Sequence, residues 1–210
     1  MGFCLDYNAR INVYNITYYI MIYIIDDFLS KKTFETVKNN KEDFKEVKTS
    51  GKSFWVKEPS LEFISHFEDR LEAIEGNAVM NVFSFFREAK KGEDNDWRIH
   101  NDTIIQGQQP DRAMVLYINS SATELNGTAL WEHKIHGDVY NPAEDLEEKV
   151  NEFNRLLRED ANDKTKWNLK SIIGYKPNRL VSYPTNYFHS KYPNEFNDSR
   201  IIFVMFYKII

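Results

Sequence analysis

An α+β fold with a two-sheet barrel or jelly-roll core is what the sequence predicts, and three observations carry it. Helical periodicity comes early, in two segments that each begin at a serine. Short runs of β-branched and aromatic residues, separated by polar turns, then dominate the chain to its last residues. One strongly charged amphipathic segment interrupts those runs. Helices first and short strands after, without the regular strand–helix alternation of a parallel sheet, fit an α+β chain, and many short strands fit two packed sheets.

Taken in order, residues 11–25 form the one strongly apolar run, too short to span a bilayer and interrupted by Asn12 and Asn15. A signal peptide would show a basic start and a small-residue cleavage site, and neither is evident. Its later part, 21–25, reads as a core strand. Residues 1–20 are read as a separate N-terminal segment, disordered or a strand extension, ahead of one domain over 21–210. Ser30 is a predicted N-cap for a helix over 31–40. Ser53, Phe54, Trp55 and Val56 alternate enough for a short or edge strand. Ser60 caps a second predicted helix over 61–75, where Leu61, Ile64, Phe67, Leu71 and Ile74 recur at helical spacing and Gly76-Asn77 stops the element.

Residues 78–87 read as a strand rich in β-branched and aromatic side chains, and a polar turn follows over 90–96. Residues 114–119 and 127–131 are the next strands. The charged segment 142–159, with Leu146, Val150, Phe153, Leu156 and Leu157 at helical spacing, is predicted to be a helix inserted between strands. Strands at 179–183 and 200–208 complete the chain.

Composition narrows the class. The chain has 210 residues, enough for a sizeable core, and aromatics make up 15% of it, with 15 Phe and 12 Tyr. Its net charge of −5 argues against broad binding to a phosphate backbone. The single cysteine, Cys4, excludes an internal disulfide framework and a thiolate metal cluster, which suits a reducing cytoplasm.

The chemistry centres on His100-Asn101-Asp102. In an extended strand alternate side chains share a face, so His100 and Asp102 project together and can supply two of the three ligands of a facial iron site. His189, after the 179–183 strand, is the candidate third ligand. Two neutral imidazoles and one carboxylate bind Fe(II) on one octahedral face and leave the other open for a chelating 2-oxo acid and dioxygen. The far carboxylate of such a co-substrate needs a buried cation. Arg200, at the head of the last strand, is the candidate, brought to the metal by a hairpin between the strand ends around His189 and Arg200. Tyr117 is the candidate hydroxyl beside it.

These residues, with Val115-Leu116-Tyr117-Ile118-Asn119, Asn126-Gly127-Thr128-Ala129-Leu130, Asn178-Arg179-Leu180-Val181 and the opening Ile24-Ile25-Asp26-Asp27-Phe28-Leu29-Ser30, resemble the Fe(II)/2-oxoglutarate-dependent dioxygenases. The resemblance is narrower to the prolyl 4-hydroxylase-like branch, including small phage and bacterial oxygenases, and covers about residues 21–208. It implies a double-stranded β-helix (jelly roll) buttressed by N-terminal helices, with His100, Asp102 and His189 as both catalytic residues and iron ligands. It implies that Arg200 holds the distal carboxylate of 2-oxoglutarate and that Tyr117 hydrogen-bonds to it. The implied reaction decarboxylates 2-oxoglutarate to succinate and hydroxylates a C–H bond, with O2 as co-substrate and ascorbate as a further candidate cofactor. The implied partner is a small-molecule or peptidyl substrate rather than nucleic acid or a membrane, and the implied location is cytoplasmic, in a host cell where the gene is viral. Two features bear on this. The charged segment 141–170 is longer than the corresponding loop of the minimal domain, and Asp102 stands where halogenating members carry a small residue, so hydroxylation is expected.

Other candidates weigh less. His133 and His136 lack the spacing of a zinc-protease motif and are expected to be exposed or to face substrate. His66 is expected to be structural. Trp97, Trp131 and Tyr140 fit either a substrate entrance or packing. Arg112 is the alternative carboxylate clamp but is expected to face solvent, and Arg179 is expected to form a structural ion pair. Two other classes stand beside the oxygenase: a non-catalytic jelly-roll binding module, and a cupin-type metal enzyme without 2-oxoglutarate. The triad and the arginine favour the oxygenase. Neither the substrate nor the oligomeric state is legible.

Overall fold

The computed structural model describes residues 21–40, 43–49, 52–93, 98–119, 127–140, 147–192 and 199–210. The N-terminal segment 1–20, Trp97 and Leu146 lie outside the described residues. Strand β1 (Tyr23–Ile25) is followed by helix α1 (Lys31–Asn39), the hairpin strands β2 (Lys45–Thr49) and β3 (Lys52–Lys57), and helix α2 (Leu61–Glu75). Then come β4 (Val79–Lys90), β5 (Arg112–Tyr117), β6 (Thr128–His133), helix α3 (Glu147–Glu159), β7 (Trp167–Ile173), β8 (Leu180–Pro184), β9 (His189–Lys191) and β10 (Ser199–Ile209). Among the described residues, no helix is long and apolar enough to cross a membrane.

Two antiparallel sheets form the core. The larger runs β1-β8-β5-β10-β4-β3-β2 and the smaller β7-β6-β9. β5 and β10 read as near-continuous apolar runs because both of their faces are covered. On one face Met114, Leu116, Phe203 and Met205 share a core with Phe34 of α1 and Phe67 and Leu71 of α2. On the other, Val115, Val204 and Phe206 pack with Leu130 of the small sheet and Tyr183 of β8. A third cluster, Ala129, Trp131, Trp167 and Phe188 with Leu156 of α3, covers the far side of the small sheet.

The helices begin and end for local reasons. The Ser30 and Ser60 hydroxyls accept from the amides of Thr33 and Phe63, which satisfies donors left over in each first turn. α2 ends at Gly76, whose φ of 71° is a left-handed conformation that costs glycine little. Phe63, rather than the exposed Leu61, joins Ile64, Phe67, Leu71 and Ile74 on the core side. The Phe67 and Phe203 rings meet at 4.8 Å, and burial of each contributes about 1.5–3 kcal/mol.

Three expectations are corrected here. The helices do not precede the strands as a block, since β1 comes before α1 and the β2–β3 hairpin separates α1 from α2. β7 was not foreseen, because its middle residues are exposed and give no apolar alternation. The strands around His189 and Arg200 do not form a hairpin: β9 pairs with β6 in the small sheet, while β10 lies between β4 and β5 in the large one. Arg200 therefore approaches from the opposite sheet.

Candidate metal centre and its cavity

The small sheet carries the triad. Leu130 of β6 pairs with His189, and on the other side of β9 His189 meets His100 in an isolated antiparallel bridge. The His100 amide donates to the His189 carbonyl at 3.0 Å, and the reverse bond is 2.8 Å. Residues paired in this way turn their side chains to one face, and the two imidazole centroids lie 4.4 Å apart. Asp102 is anchored by its amide, which donates to Thr185 O at 2.8 Å just beyond β8. Extended alternation then brings its carboxylate beside both rings.

Hydrogen bonds fix which nitrogen of each ring faces inward. His100 Nδ1 lies 2.8 Å from Arg98 O, and His189 Nδ1 lies 3.0 Å from Tyr187 O. A carbonyl only accepts, so each Nδ1 carries hydrogen, and each Nε2 points to the centre and offers its lone pair there when the ring is neutral. His100 Nε2 is 3.8 Å from Asp102 Oδ1, and His189 Nε2 is 3.2 Å from Asp102 Oδ2. One ligand atom from each residue lies within 4.8 Å of the others, a set that can hold a metal ion. His100 is 40% exposed against 14% for Asp102 and 8% for His189, so the centre opens on the His100 side.

The charges of the centre support one another. Desolvation pushes the Asp102 carboxyl upward, but the His189 charge and hydrogen bond, with His100, outweigh it and hold it below the ordinary carboxylate value. Desolvation likewise depresses His189, and Asp102 outweighs that, so its imidazole lies above the ordinary histidine value.

Across the cavity stands Arg200, buried, with Nη2 donating to Gly127 O at 3.5 Å and its guanidinium 5.6 Å from the Tyr117 ring centroid. Desolvation lowers the Arg200 pKa, opposed by Tyr117 and Tyr175 and reinforced by Arg87. Gly127 is needed there, because a Cβ would sit 1.8 Å from Ile173 O. The cavity has a volume of about 460 Å³ and is lined by His100, Asp102, His189 and Arg200 together with Phe83, Phe85, Arg87, Arg98 and Lys191. Thr128, Tyr183 and Ser190 also face it. Arg98 and Lys191 were missed by sequence reasoning, although each stands two residues from a triad histidine and extended spacing places it on the same side.

Not every expected residue takes its expected place. Tyr117 is fully buried behind the cavity, and its hydroxyl is hydrogen-bonded at 2.8 Å to Thr128, which does face it. Arg112 does not face solvent. It lies on the opposite face of β5, fully buried, 3.1 Å from Glu75 at the end of α2. His133 is not exposed either: its Nδ1 accepts from the amides of Ile135 and His136, and Nε2 donates to Asp160 at 3.3 Å. Both nitrogens are committed, so it ties a turn rather than holding a metal. Trp131 is packed in the core and donates to Ser190 Oγ, and the Tyr140 carbonyl accepts from Asn101. Arg179 pairs with Asp26 at 2.6 Å.

A model of a family of unknown function, DUF6445, matches residues 8–197. No sequence among curated proteins matches the chain. Among solved structures, the chain is similar to HygX from Streptomyces hygroscopicus with nickel, 2-oxoglutarate and hygromycin B bound, with 11% identity and a TM-score of 0.57 over 98% of this chain and 88% of that one. It is similar to the non-haem α-ketoglutarate-dependent carbocyclase SnoK from nogalamycin biosynthesis, with 12% identity and a TM-score of 0.61 over 97% and 83% of the two chains. It is also similar to a Pseudomonas putida prolyl-4-hydroxylase, with 11% identity and a TM-score of 0.52 over 91% and 94%. At these identities the likeness establishes a shared fold, the jelly roll of the 2-oxoglutarate oxygenases.

Proposed function

The chain belongs to the DUF6445 family of unknown function, and we propose that it is an Fe(II)- and 2-oxoglutarate-dependent dioxygenase that hydroxylates a C–H bond. The observation that carries this reading is the triad itself: two imidazole Nε2 atoms and one carboxylate gathered within 4.8 Å on one wall of a cavity. The donor set suits Fe(II). Both rings are held in the tautomer that ligates, by carbonyls that accept from Nδ1, and the carboxylate stays ionised between them. His100, Asp102 and His189 would hold the metal, which would couple decarboxylation of 2-oxoglutarate to oxidation of the substrate by O2. The stoichiometry is 2-oxoglutarate, O2 and R–H giving succinate, CO2 and R–OH.

The protein's own part is positioning and charge. Arg200, buried across the cavity from the triad, would take the distal carboxylate of 2-oxoglutarate with its planar fork of donors. Thr128, rather than Tyr117, offers the hydroxyl on the cavity wall, with Tyr117 fixing its direction. His100, the most exposed ligand, marks the side from which substrate would approach. The resemblance to the prolyl 4-hydroxylase-like branch, and the P. putida enzyme among the structural neighbours, favour a prolyl or similar unactivated C–H bond as the target. The test is succinate release from 2-oxoglutarate by the purified chain. Release that requires Fe(II), and that is lost in Asp102→Ala and His189→Ala proteins which remain folded, is expected. Equal release by those variants would overturn the reading.

A further inference from the structure

Among the described residues, four tyrosines are almost wholly buried: Tyr117, Tyr175, Tyr183 and Tyr207. Three of their hydroxyls are bonded to the protein. Tyr117 meets Thr128 Oγ1 at 2.8 Å, Tyr175 donates to Asn119 Oδ1 at 2.6 Å, and Tyr207 donates to Glu75 Oε1 at 2.6 Å. The fourth differs. Tyr183 is 2% exposed, yet no described residue hydrogen-bonds to its hydroxyl.

Tyr183 stands at the triad. It pairs with Ala113 of β5 and packs with Val115, Tyr117 and Phe206 on the cavity face of the large sheet. Its ring centroid lies 4.8 Å from that of His189. Two residues further along, Thr185 O holds the Asp102 amide, so one short stretch of chain sets both the carboxylate and the phenol. Burial, and then the Asp102 carboxylate, push the phenol well above the ordinary tyrosine value, so it is a neutral donor. Asp102 acts on it more strongly than Arg200 does, as expected of a hydroxyl nearer the triad than the arginine.

A phenol removed from water loses free energy unless it finds a partner, and buried tyrosine hydroxyls usually have one. The Asp102 oxygens are turned to the two imidazoles, at 3.8 and 3.2 Å. The acceptor for Tyr183 therefore comes from the contents of the cavity whose wall it forms. A 2-oxo acid reaching from the triad to Arg200 carries carboxylate oxygens past this point.

We propose that Tyr183 is a binding residue for the co-substrate: its hydroxyl donates to the triad-side carboxylate of 2-oxoglutarate, while Arg200 takes the distal one. This rests on the functional reading above and adds a second protein anchor to it. A bond from a neutral donor to a carboxylate is directional, so it turns that end of the oxo acid without placing another cation beside the metal.

The test compares Tyr183→Phe with wild type and with Tyr117→Phe, in the full chain. Loaded with Ni(II), Tyr183→Phe is expected to bind 2-oxoglutarate about tenfold more weakly by calorimetry, at unchanged Ni(II) affinity. Without ligands its thermal midpoint should equal or exceed that of wild type, because phenylalanine removes a hydroxyl that the protein leaves unbonded. Tyr117→Phe should lower the midpoint, since it cuts the bond to Thr128. With Fe(II) and 2-oxoglutarate under anaerobic conditions, the charge-transfer band of Tyr183→Phe should shift from the wild-type maximum, which loss of a hydroxyl that only holds solvent would not cause. Affinity and band both matching wild type would overturn the proposal. So would a ligand-free midpoint as low as that of Tyr117→Phe, which would place the hydroxyl's partner in the protein, or a parallel loss of Ni(II) affinity, which would make Tyr183 a support for His189. Weakened binding with an unmoved band would overturn the assignment to the triad-side carboxylate. A wild-type chain that takes up no 2-oxoglutarate would instead overturn the functional reading, and this proposal with it.

Discussion

The two arginines that sequence reasoning weighed as carboxylate clamps should behave in opposite ways, and Arg112→Met tests this first. Arg112 shares its face of β5 with Met114 and Leu116, towards α2. Its side chain and that of Glu75 are each 0% exposed, and Nε lies 3.1 Å from Glu75 Oε1. Nε also donates to Ser182 Oγ at 3.0 Å and Nη2 to Met21 O at 2.7 Å, while the Tyr207 hydroxyl donates to the same Glu75 oxygen at 2.6 Å. Methionine keeps the stem and its packing but leaves the Glu75 carboxylate buried without its countercharge, a loss of about 3–5 kcal/mol. For a chain of this size that lowers the thermal midpoint by roughly 6–20 °C. The paired change Glu75→Gln with Arg112→Met should recover part of the loss, because the buried charge is gone while an acceptor for Tyr207 remains. Circular dichroism melts of wild type, single and double variants measure this directly. A single variant within about 2 °C of wild type, or a double variant no more stable than the single, would refute the reasoning.

Other outcomes follow from the site. Arg200→Gln should weaken 2-oxoglutarate binding by about 2–5 kcal/mol, roughly thirtyfold to several thousandfold, while iron affinity stays near wild type; equal loss of both, measured by titration calorimetry, would give Arg200 a different role. Metal affinity should fall with pH. His189 ligates only when neutral, and because its pKa is raised, proton competition starts above the ordinary histidine value, near pH 6.5, and deepens as pH drops, while Asp102, with its lowered pKa, stays ionised through that range. Fe(II) dissociation constants should therefore rise by up to about tenfold per pH unit between about pH 7.5 and about pH 5.5, and a flat profile would count against histidine ligation. Gly127→Ala should destabilise by about 1–3 kcal/mol, seen as a lower urea midpoint, since its Cβ would meet the Ile173 backbone oxygen at 1.8 Å and backbone cannot swing aside. An unchanged midpoint would show that β6 and β7 can part without cost.

What was legible in the sequence was whatever depends on local spacing. The i, i+2 relation of His100 and Asp102, the serine caps at Ser30 and Ser60, the glycine stop at Gly76 and the apolar runs of β5 and β10 all appear where that spacing predicts them. What was illegible depends on partners far along the chain. Arg112 looked solvent-facing because it stands at the head of the Tyr117 strand, and its partner Glu75 reaches it only once α2 packs on the sheet. His133 looked exposed because its spacing from His136 fits no metal motif, yet the two amides and Asp160 that satisfy its ring are assembled by a turn and by the residue just beyond α3. The assignment of β9 and β10 to opposite sheets is likewise illegible in the sequence, because strand order in a jelly roll is set by which faces bury each other rather than by adjacency in sequence. That partition matters for function, since it places Arg200 across the cavity from His189 instead of beside it.

In the proposed reading His100, Asp102 and His189 present one metal to one molecule of 2-oxoglutarate. Anaerobic titration of Fe(II) and 2-oxoglutarate into the purified full chain, followed by visible absorbance, tests it most directly. A metal-to-ligand charge-transfer band that appears only with both additions, and is absent from Asp102→Ala and His189→Ala proteins, is the predicted result. A folded protein that gives no band with both present, or a band that persists in both variants, would contradict it.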